Sequence, residues 1–348
     1  MRAAFTPTYG PAEVLELRDV PAPTLGDDEV LVEVHASPVT AGDQRLRAAD
    51  FPSISALFGR LILGMLRPKQ AVQGTNFAGR IVAVGRKVTR WAVGDDVFGG
   101  TPHGAYAEYL TVKEDGPMAR KPAGLGYDEA AALPYGAVTA SRFLRDLGAV
   151  RPGDKVLVVG ASGGVGRFAV QIAKHLGAEV TGVCSAANFD LVRSLGADHV
   201  IDHRTTDFTQ GSERYDVLFD VAGVTTFSQC RSSLSRDGRY LTLLLTVGVL
   251  LQMLFTSMRR GPRAKFAIVL ADRDEMERVR ELAERGVLRP VLAQRFPLER
   301  IAEAHAARST GTVIVTIRPS AQVPSTRADL VAGGEPGLGV AALAPAGG

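Results

Sequence analysis

The segment from residue 155 to residue 184 constrains the fold more than any other part of the chain. It begins with the apolar run Lys155–Val159, continues with the loop GASGGVG at 160–166 and ends with a second apolar run, Glu179–Cys184. Between them, Phe168–Leu176 has the apolar spacing of an amphipathic helix. Two strands joined by a crossover helix lie parallel in one sheet, so the chain is expected to build a parallel sheet here.

The alternation of strands and helices continues beyond this unit. Short apolar runs predict further strands at His199–Asp202, Asp216–Val221 and Arg239–Leu245, with a helix at Asn188–Leu195. Residues before 120 have the pattern of a β-rich domain, with strands at Glu29–His35 and Arg80–Gly85. After residue 262 the pattern predicts helices at Asp272–Glu284 and Ile301–Ala307 and a last strand at Thr312–Ile317. The chain therefore has the α/β class, with a β-rich part and a parallel-sheet part.

Bulk composition excludes several classes of protein. A chain of 348 residues is long enough for two domains, and its net charge of +3 is too small to favour a nucleic-acid partner. Cys184 and Cys230 cannot form a disulfide framework, and the first residues lack an apolar run of signal-peptide length. These features predict a cytoplasmic protein. Residues 319–348 are rich in Ala, Gly and Pro and predict a disordered tail.

The most apolar segment is Leu241–Phe255. A membrane span needs about 20 apolar residues, and this run is shorter and interrupted by Thr246 and Gln252. We expect a buried strand that continues into a buried helix, a cleft-capping helix or part of a subunit contact, and no membrane partner.

The glycine loop predicts a dinucleotide site. Glycines let the backbone approach a pyrophosphate at the positive end of the following helix, and Ala161, Gly163 and Gly166 occupy the three key spacings. The alternative is a tight turn without a ligand. The residues predicted to hold the diphosphate are Gly160, Ala161, Ser162, Gly163, Gly164, Val165 and Gly166.

The residues after the second strand bear on the choice of dinucleotide. An NAD site places an Asp or Glu about 20 residues beyond the loop, whereas this chain reads VCSAAN at 183–188. No carboxylate is present there to repel a 2′-phosphate, and Ser185 and Asn188 are candidate contacts. The segment favours NADPH, with NADH as the second candidate.

Several further segments carry a family resemblance. They are Val32–Arg47, Gly74–Gly79, Val93–Phe98, Gly104–Tyr109, Ala130–Pro134, GASGGVG, Ser194–Asp198 and Asp220–Gly223. The chain resembles the zinc-independent branch of the medium-chain dehydrogenase/reductases, the quinone oxidoreductase-like enzymes. The resemblance implies a GroES-like β-rich catalytic domain at 1–122, a Rossmann doubly wound cofactor domain at 123–262 and a return to the catalytic domain at 263–318. It also implies homodimers.

The resemblance assigns candidate site residues. Thr40, Gln44 and Asn76 would donate hydrogen bonds to substrate, although each has a structural alternative, with Thr40–Asp43 readable as a helix cap. Thr139 would border the nicotinamide, or be an ordinary helical threonine. Ala222, Leu243 and Leu244 would border the cofactor at the carboxyl edge of the sheet. Tyr135 and solvent are both candidate proton donors, and Asp43 is expected to anchor its loop.

The chain departs from the resemblance in places. Ala187 stands where relatives carry an arginine for the 2′-phosphate; Arg193, Arg204 and Arg236 are candidate substitutes. Relatives often have Asn at the position of Thr40 and an aromatic residue at Gln44, and Ala306–Gly311 is a short link.

Catalytic zinc would need about three Cys, His or acidic ligands. Zinc-dependent cousins place a Cys near Thr40 and Gly-His-Glu near Gly74–Asn76, and this chain has neither. His199 and His203 flank a predicted strand, which would separate them by about 13 Å. We therefore expect no zinc.

The function expected is a zinc-free, NADPH-dependent reductase of small hydrophobic conjugated carbonyls such as quinones and enones. One alternative is an NAD(P)-dependent alcohol dehydrogenase or ketone reductase, and another is a dinucleotide-binding protein without catalysis.

Overall fold

Two large β-sheets organise the chain in a computed structural model that describes residues 1–50, 59–61, 63–258 and 260–318. The strands are β1 (Arg2–Phe5), β2 (Glu16–Asp19), β3 (Glu29–Val39), β4 (Asn76–Val84), β5 (Asp96–Gly100), β6 (Tyr109–Lys113), β7 (Met118–Arg120), β8 (Lys155–Val159), β9 (Glu179–Cys184), β10 (His199–Asp202), β11 (Tyr215–Asp220), β12 (Leu234–Thr242), β13 (Arg263–Lys265), β14 (Leu292–Pro297) and β15 (Thr312–Thr316). The helices are α1 (Ala41–Ala48), α2 (Tyr127–Ala131), α3 (Pro134–Ser141), α4 (Gly164–His175), α5 (Phe189–Ser194), α6 (Phe227–Cys230), α7 (Val247–Ser257), α8 (Arg273–Glu284) and α9 (Ile301–Ala306).

The parallel sheet has the strand order β10-β9-β8-β11-β12-β13, and every neighbouring pair is parallel. From β8 the chain moves outward to β9 and β10, then crosses back to β11 and continues to β12 and β13. The order therefore reverses between β8 and β11, and ligands of open α/β sheets bind at the carboxyl ends of strands at such a point. The predicted bounds of β8, β9 and β10 are confirmed.

The second sheet gathers the two ends of the described chain. Its order is β14-β15-β3-β4-β5-β7, with β6 paired to β3. Antiparallel pairing of β15 with β3 aligns Val313 with Val39 and Thr316 with Ala36. The chain thus leaves this sheet after β7, builds the parallel sheet and returns, which brings residues near 40 and near 310 to the same place.

Two parts of the prediction for Leu241–Phe255 are wrong. The strand β12 ends at Thr242 rather than Leu245, because the Leu244 amide donates to Thr242 Oγ1 at 3.2 Å instead of continuing the ladder. The helix α7 that follows is not buried: Val249 is its only buried residue, and its other apolar side chains are largely exposed. The face of α7 that packs inward begins at Val249 and contains polar residues.

Residues 1–318 form one compact unit, and the domain limits at 122 and 262 stay predictions. The tail predicted at 319–348 lies outside the described residues. Within the described ranges, no helix combines the length and the apolar character that crossing a bilayer requires.

Candidate active-site cleft

A cleft of about 1320 Å³ lies at the carboxyl edge of the parallel sheet. The loop before α4 and the ends of β11 and β12 line one side, and α1, α3 and the segments 266–269 and 304–313 line the rest. The cleft therefore combines the two parts of the chain for which the sequence predicts cofactor and substrate contacts.

The glycine loop brings the first turn of α4 close to the end of β8. Gly160 has φ of 85°, a left-handed conformation that glycine adopts without steric cost. A Cβ at Gly166 would lie 2.1 Å from the Gly160 carbonyl oxygen, so a side chain there would push the helix off the loop. Gly163 and Gly164, at the start of α4, line the cleft. The amides of a helix's first turn lack partners within the helix, and they suit an anion.

The other predicted cofactor residues surround this loop. Gly160, Ser162 and Val165 line the cleft as well, whereas Ala161 is fully buried behind them. The Asn188 amide donates to Ser162 Oγ at 3.3 Å and to Ser185 Oγ at 3.0 Å, which places both predicted 2′-phosphate contacts beside the loop.

Ala222, Leu243 and Leu244 line the cleft from the ends of β11 and β12. The buried Asp220 carboxylate shapes this edge, because it accepts hydrogen bonds from the Gly223 and Thr225 amides, both at 2.8 Å. These hydrogen bonds fix the turn after β11. Ala222, in this turn, lies beside Gly160 of the glycine loop.

On the substrate side, Thr40 and Asp43 form a complete capping box at the start of α1. The Thr40 hydroxyl donates to Asp43 Oδ2 at 2.6 Å, and its oxygen accepts from the Asp43 amide at 3.1 Å. Thr75 Oγ1 donates to the other carboxylate oxygen at 2.8 Å. Burial raises the pKa of Asp43, and these hydrogen bonds oppose the rise. Asp43 is thus a structural anchor, and the Thr40 hydroxyl proton is already engaged although Thr40 lines the cleft.

The remaining predicted donors differ in whether an O–H or N–H is left without a partner inside the protein. The Thr139 hydroxyl lines the cleft but donates to the Tyr135 carbonyl at 2.7 Å, as in an ordinary helical threonine. Asn76 is buried, donates to Thr75 Oγ1 at 2.9 Å and is not among the described residues that line the cleft. Gln44 lines the cleft and donates to the His305 carbonyl at 3.1 Å, which leaves its amide a second N–H.

Tyr135 also lines the cleft, at the start of α3. Its ring packs against the first turn of α1, where a Cβ at Gly42 would lie 3.2 Å from Tyr135 Cε2. Burial raises the pKa of the phenol, so it stays protonated at neutral pH. Its hydroxyl donates to none of the described residues. Tyr135 therefore keeps a proton available at the cleft wall.

Two buried arginines of the cleft were not found from the sequence. Arg47 Nη1 donates to His305 Nδ1 at 2.9 Å, and Arg47 Nε donates to the Gly10 carbonyl at 3.2 Å. Arg167, in the first turn of α4, donates to the Thr312 hydroxyl at 3.2 Å, and burial lowers its pKa to about 10. No local pattern marks such residues, because their partners are distant in the chain.

The described residues include no group of three His, Cys, Asp or Glu side chains arranged to hold a metal ion. His199 instead lies 3.0 Å from Glu179, and His203 lies 4.0 Å from Asp202. Each of these exposed histidines therefore has its own acidic neighbour.

The glycine loop generates a prediction about Gly166. The change Gly166→Ala is expected to lower the free energy of unfolding by about 1–3 kcal/mol, because its Cβ must displace the Gly160 carbonyl. It should also weaken dinucleotide binding at least about tenfold, because α4 moves off the loop. Urea denaturation and fluorescence titration measure the two effects. Gly164→Ala is the matched control, since no atom lies within 4 Å of its Cβ, and its stability should change by less than about 0.5 kcal/mol. Equal stability of the two variants would contradict the packing argument.

The pair Arg47–His305 generates a pH prediction. Burial, aided by the Arg47 charge, lowers the pKa of His305 to about 3 in the folded protein, against 6.5 ordinarily. The unfolded chain therefore binds a proton below pH 6.5 that the folded protein excludes until about pH 3, and stability falls as the pH falls through this range. Between pH 7 and pH 4 this residue should account for a loss on the order of 3 kcal/mol.

The variant His305→Gln tests this assignment, because glutamine still accepts a hydrogen bond but does not titrate. Denaturation curves between pH 7 and pH 4 should show a shallower loss of stability for this variant than for the wild type. His199→Gln, which changes an exposed histidine, is the control variant. Parallel curves for His305→Gln and wild type would refute the role of His305.

Comparison with known proteins agrees with this geometry. Residues 26–123 match the family described as alcohol dehydrogenase GroES-like domain, and residues 195–314 match the family described as zinc-binding dehydrogenase. The chain is 30% identical to the chloroplastic quinone oxidoreductase of Triphysaria versicolor, over 90% of this chain and 98% of that protein. It is 29% identical to the chloroplastic NADPH-dependent alkenal/one oxidoreductase of Arabidopsis thaliana, over 90% and 79%.

A solved structure has the same fold. The quinone oxidoreductase from Coxiella burnetii matches with a TM-score of 0.81 at 26% identity, over 91% of this chain and 99% of that one. The predicted fold class, a GroES-like β-rich part with a doubly wound parallel sheet, is confirmed. This chain belongs to the medium-chain dehydrogenase/reductase family of nicotinamide-dependent oxidoreductases, among its quinone oxidoreductase-like members.

Proposed function

We propose that this protein is an NADPH-dependent reductase that transfers hydride to conjugated carbonyl compounds such as quinones and enones. The observation that carries the proposal is the single cleft that joins the glycine loop before α4 to the side chains of α1 and α3. Bound NADPH would supply the hydride. The names of the two similar plant proteins, a quinone oxidoreductase and an alkenal/one oxidoreductase, support this choice of substrate class.

The residues around the glycine loop fit a dinucleotide. The amides of Gly164 and Val165 would bind the diphosphate, and the Arg167 guanidinium, which also lines the cleft, would add positive charge. Ser162, Asn188 and Ser185 form a hydrogen-bonded cluster beside this loop. The segment 183–188, which supplies two of these residues, contains no carboxylate. This composition supports NADPH over NADH, because a 2′-phosphate meets no negative side chain in that segment.

The substrate side would stabilise charge on the acceptor. Hydride addition to an enone or quinone places negative charge on the carbonyl oxygen, and hydrogen-bond donors lower the free energy of that state. Of Thr40, Gln44, Asn76, Thr139 and Tyr135, the donors that remain free at the cleft wall are the second N–H of Gln44 and the Tyr135 hydroxyl. We assign Tyr135 as the proton donor, because it lines the cleft and its hydroxyl donates to none of the described residues, so its proton is free for the oxygen that becomes basic.

The proposed reaction uses these donors and no zinc. The positions at which zinc-dependent cousins carry ligands hold Thr40 and Gly74–Asn76, residue types that are weak zinc ligands. Phe143, Leu243, Leu244 and Phe266 line the cleft and favour a small hydrophobic substrate.

We also propose a domain organisation, a compartment and an oligomeric state. Residues 1–122 and 263–318 would form the substrate part and 123–262 the cofactor part, in a cytoplasmic homodimer without a nucleic-acid partner.

One observation favours a second candidate, a dinucleotide-binding protein without catalysis. The hydroxyls of Thr40 and Thr139 already donate within the protein, so they have no proton to offer a substrate.

A substrate panel distinguishes the candidates. Stopped-flow oxidation of NADPH should be fast with a quinone and an enone and slow with a saturated ketone, because only conjugated acceptors delocalise the charge. Repeating the panel with NADH should give a lower kcat/KM, and added chelator should change neither result. Turnover with the saturated ketone alone would support an alcohol dehydrogenase. Tight NADPH binding without any turnover would support the binding protein.

Tyr135→Phe tests the proton donor. We expect kcat/KM for an enone to fall about 100-fold while NADPH binding changes little, because the variant removes only the hydroxyl. Tyr9→Phe is the matched control: its hydroxyl donates to the Gly64 carbonyl, and it is not among the described residues that line the cleft. An unchanged rate for Tyr135→Phe would assign protonation to solvent instead.

A further inference from the structure

Arg167 is a buried cation that has no anionic partner within the described residues. It is 3% exposed, lines the cleft and forms no ion pair with an acidic side chain of that part of the chain. Burial alone lowers its pKa to about 10, because a charged guanidinium loses its hydration there. An unpaired buried charge is unfavourable in a folded protein. A charge kept at the wall of a cleft under these conditions indicates that an anion binds in the cleft.

The hydrogen bonds that Arg167 does form are long and go to neutral oxygens. Nη2 donates to Thr312 Oγ1 at 3.2 Å, and Nη1 donates to the Val291 carbonyl at 3.4 Å. That carbonyl already accepts a hydrogen bond from the Thr312 amide at 2.8 Å. Nε is buried and has no partner among the described residues. Most N–H groups of the guanidinium therefore remain without a described partner.

The position of Arg167 in α4 directs its side chain toward the free amides of the first turn. Gly164 and Arg167 are three residues apart, a spacing that places both on one face of the helix, and both line the cleft. The Cα–Cβ bond of a helical residue is tilted toward the N-terminus of the helix. The side chain therefore starts in the direction of the Gly164 and Val165 amides, so that main-chain N–H groups and a guanidinium face the cleft from the same turn.

We propose that Arg167 is the counter-ion of the dinucleotide diphosphate and that Thr312 holds its guanidinium in place for this contact. A guanidinium can donate two parallel hydrogen bonds to phosphate oxygens, which neutral hydroxyl and carbonyl partners do not match in strength. Thr312 is then a positioning residue, because it acts through Arg167. This role rests on the proposed dinucleotide site and adds to it a side chain outside the glycine loop.

The contact links the cofactor helix to the other sheet. Arg167 belongs to α4, whereas Thr312 is the first residue of β15, which pairs with β3 in the substrate-side sheet. We therefore infer that affinity for the dinucleotide depends on where β15 lies relative to α4. A cofactor bound to Arg167 would stabilise the arrangement in which the two sides of the cleft are in contact.

A second contact fixes α4 independently of this guanidinium. Gln171, one turn further along the helix, accepts from the Arg289 amide at 2.7 Å and donates to the Arg289 carbonyl at 3.3 Å. The helix is thus held against the segment before β14 by main-chain hydrogen bonds. Removing the Arg167 guanidinium should leave this packing intact, and the Val291 carbonyl keeps its bond from the Thr312 amide. Variants at position 167 are therefore expected to fold.

Arg167→Met tests the counter-ion. Fluorescence titration without any acceptor should show affinity for NADPH reduced at least about 30-fold, because a buried charged hydrogen bond is lost. Affinity for NADH should fall by the same factor, since both dinucleotides carry the diphosphate. Arg285→Met removes equal charge from an exposed position outside the cleft and should bind both within about twofold of wild type.

Urea denaturation of the cofactor-free protein separates this role from a structural one. The midpoint for Arg167→Met should equal or exceed that of wild type, because an apolar side chain of similar length replaces an unpaired buried charge. A residue kept only to join α4 to β15 would instead lower the midpoint when replaced. A lowered midpoint, an unchanged affinity, or a loss for NADPH but not for NADH would overturn the assignment.

Thr312→Val and Thr312→Ser test the positioning residue. Valine keeps the shape but lacks the hydroxyl, so affinity for both dinucleotides should fall about fivefold, whereas serine should bind within about twofold of wild type. Equal affinities for Thr312→Val and wild type would refute the part assigned to Thr312. Wild-type protein that binds neither dinucleotide would refute the proposed function as well, whereas normal binding by Arg167→Met would refute the counter-ion alone.

Discussion

The close approach of α4 to the loop after β8 is the constraint on which the cleft depends. Because residue 166 has no Cβ, the helix can start against the Gly160 carbonyl, and its first amides open directly onto the point where the strand order reverses. Amides of the first turn, which have no partners within the helix, therefore lie at the cleft in a geometry that suits an anion. For this geometry, the short distance between α4 and the Gly160 carbonyl matters more than the identity of most nearby side chains.

The substrate wall depends on a different kind of interaction, a buried polar network. Asp43 joins the cap of α1 to Thr75, and the Arg47–His305 contact joins the same helix to the segment before β15. Buried polar groups are favourable only when they are paired, so these hydrogen bonds hold α1 in one position relative to the sheet. Of the side chains that the sequence suggested as donors, Tyr135 and one N–H of Gln44 stay free of partners at the cleft wall.

Three strands of the parallel sheet could be predicted with their bounds, because apolar runs, glycine turns and amphipathic spacing are local. The bounds of β8, β9 and β10 illustrate this. The same reasoning did not decide between a buried helix, a cleft-capping helix and a subunit contact at α7, and the buried alternative is wrong. Which side of an apolar helix faces the protein depends on its neighbours, and here Ser228 and Ala264 take the polar side.

By itself, the sequence determined that the chain builds a parallel sheet with a dinucleotide loop, since glycine spacing and strand–helix alternation are properties of adjacent residues. Only the tertiary structure decided which candidate donors remain free, because a hydroxyl's partner is set by packing. Thr40 and Thr139 resemble substrate contacts in the sequence, yet both donate within their own helices. Arg47 and His305 are 258 positions apart and meet only because β15 pairs with β3, a long-range pairing that no local pattern encodes.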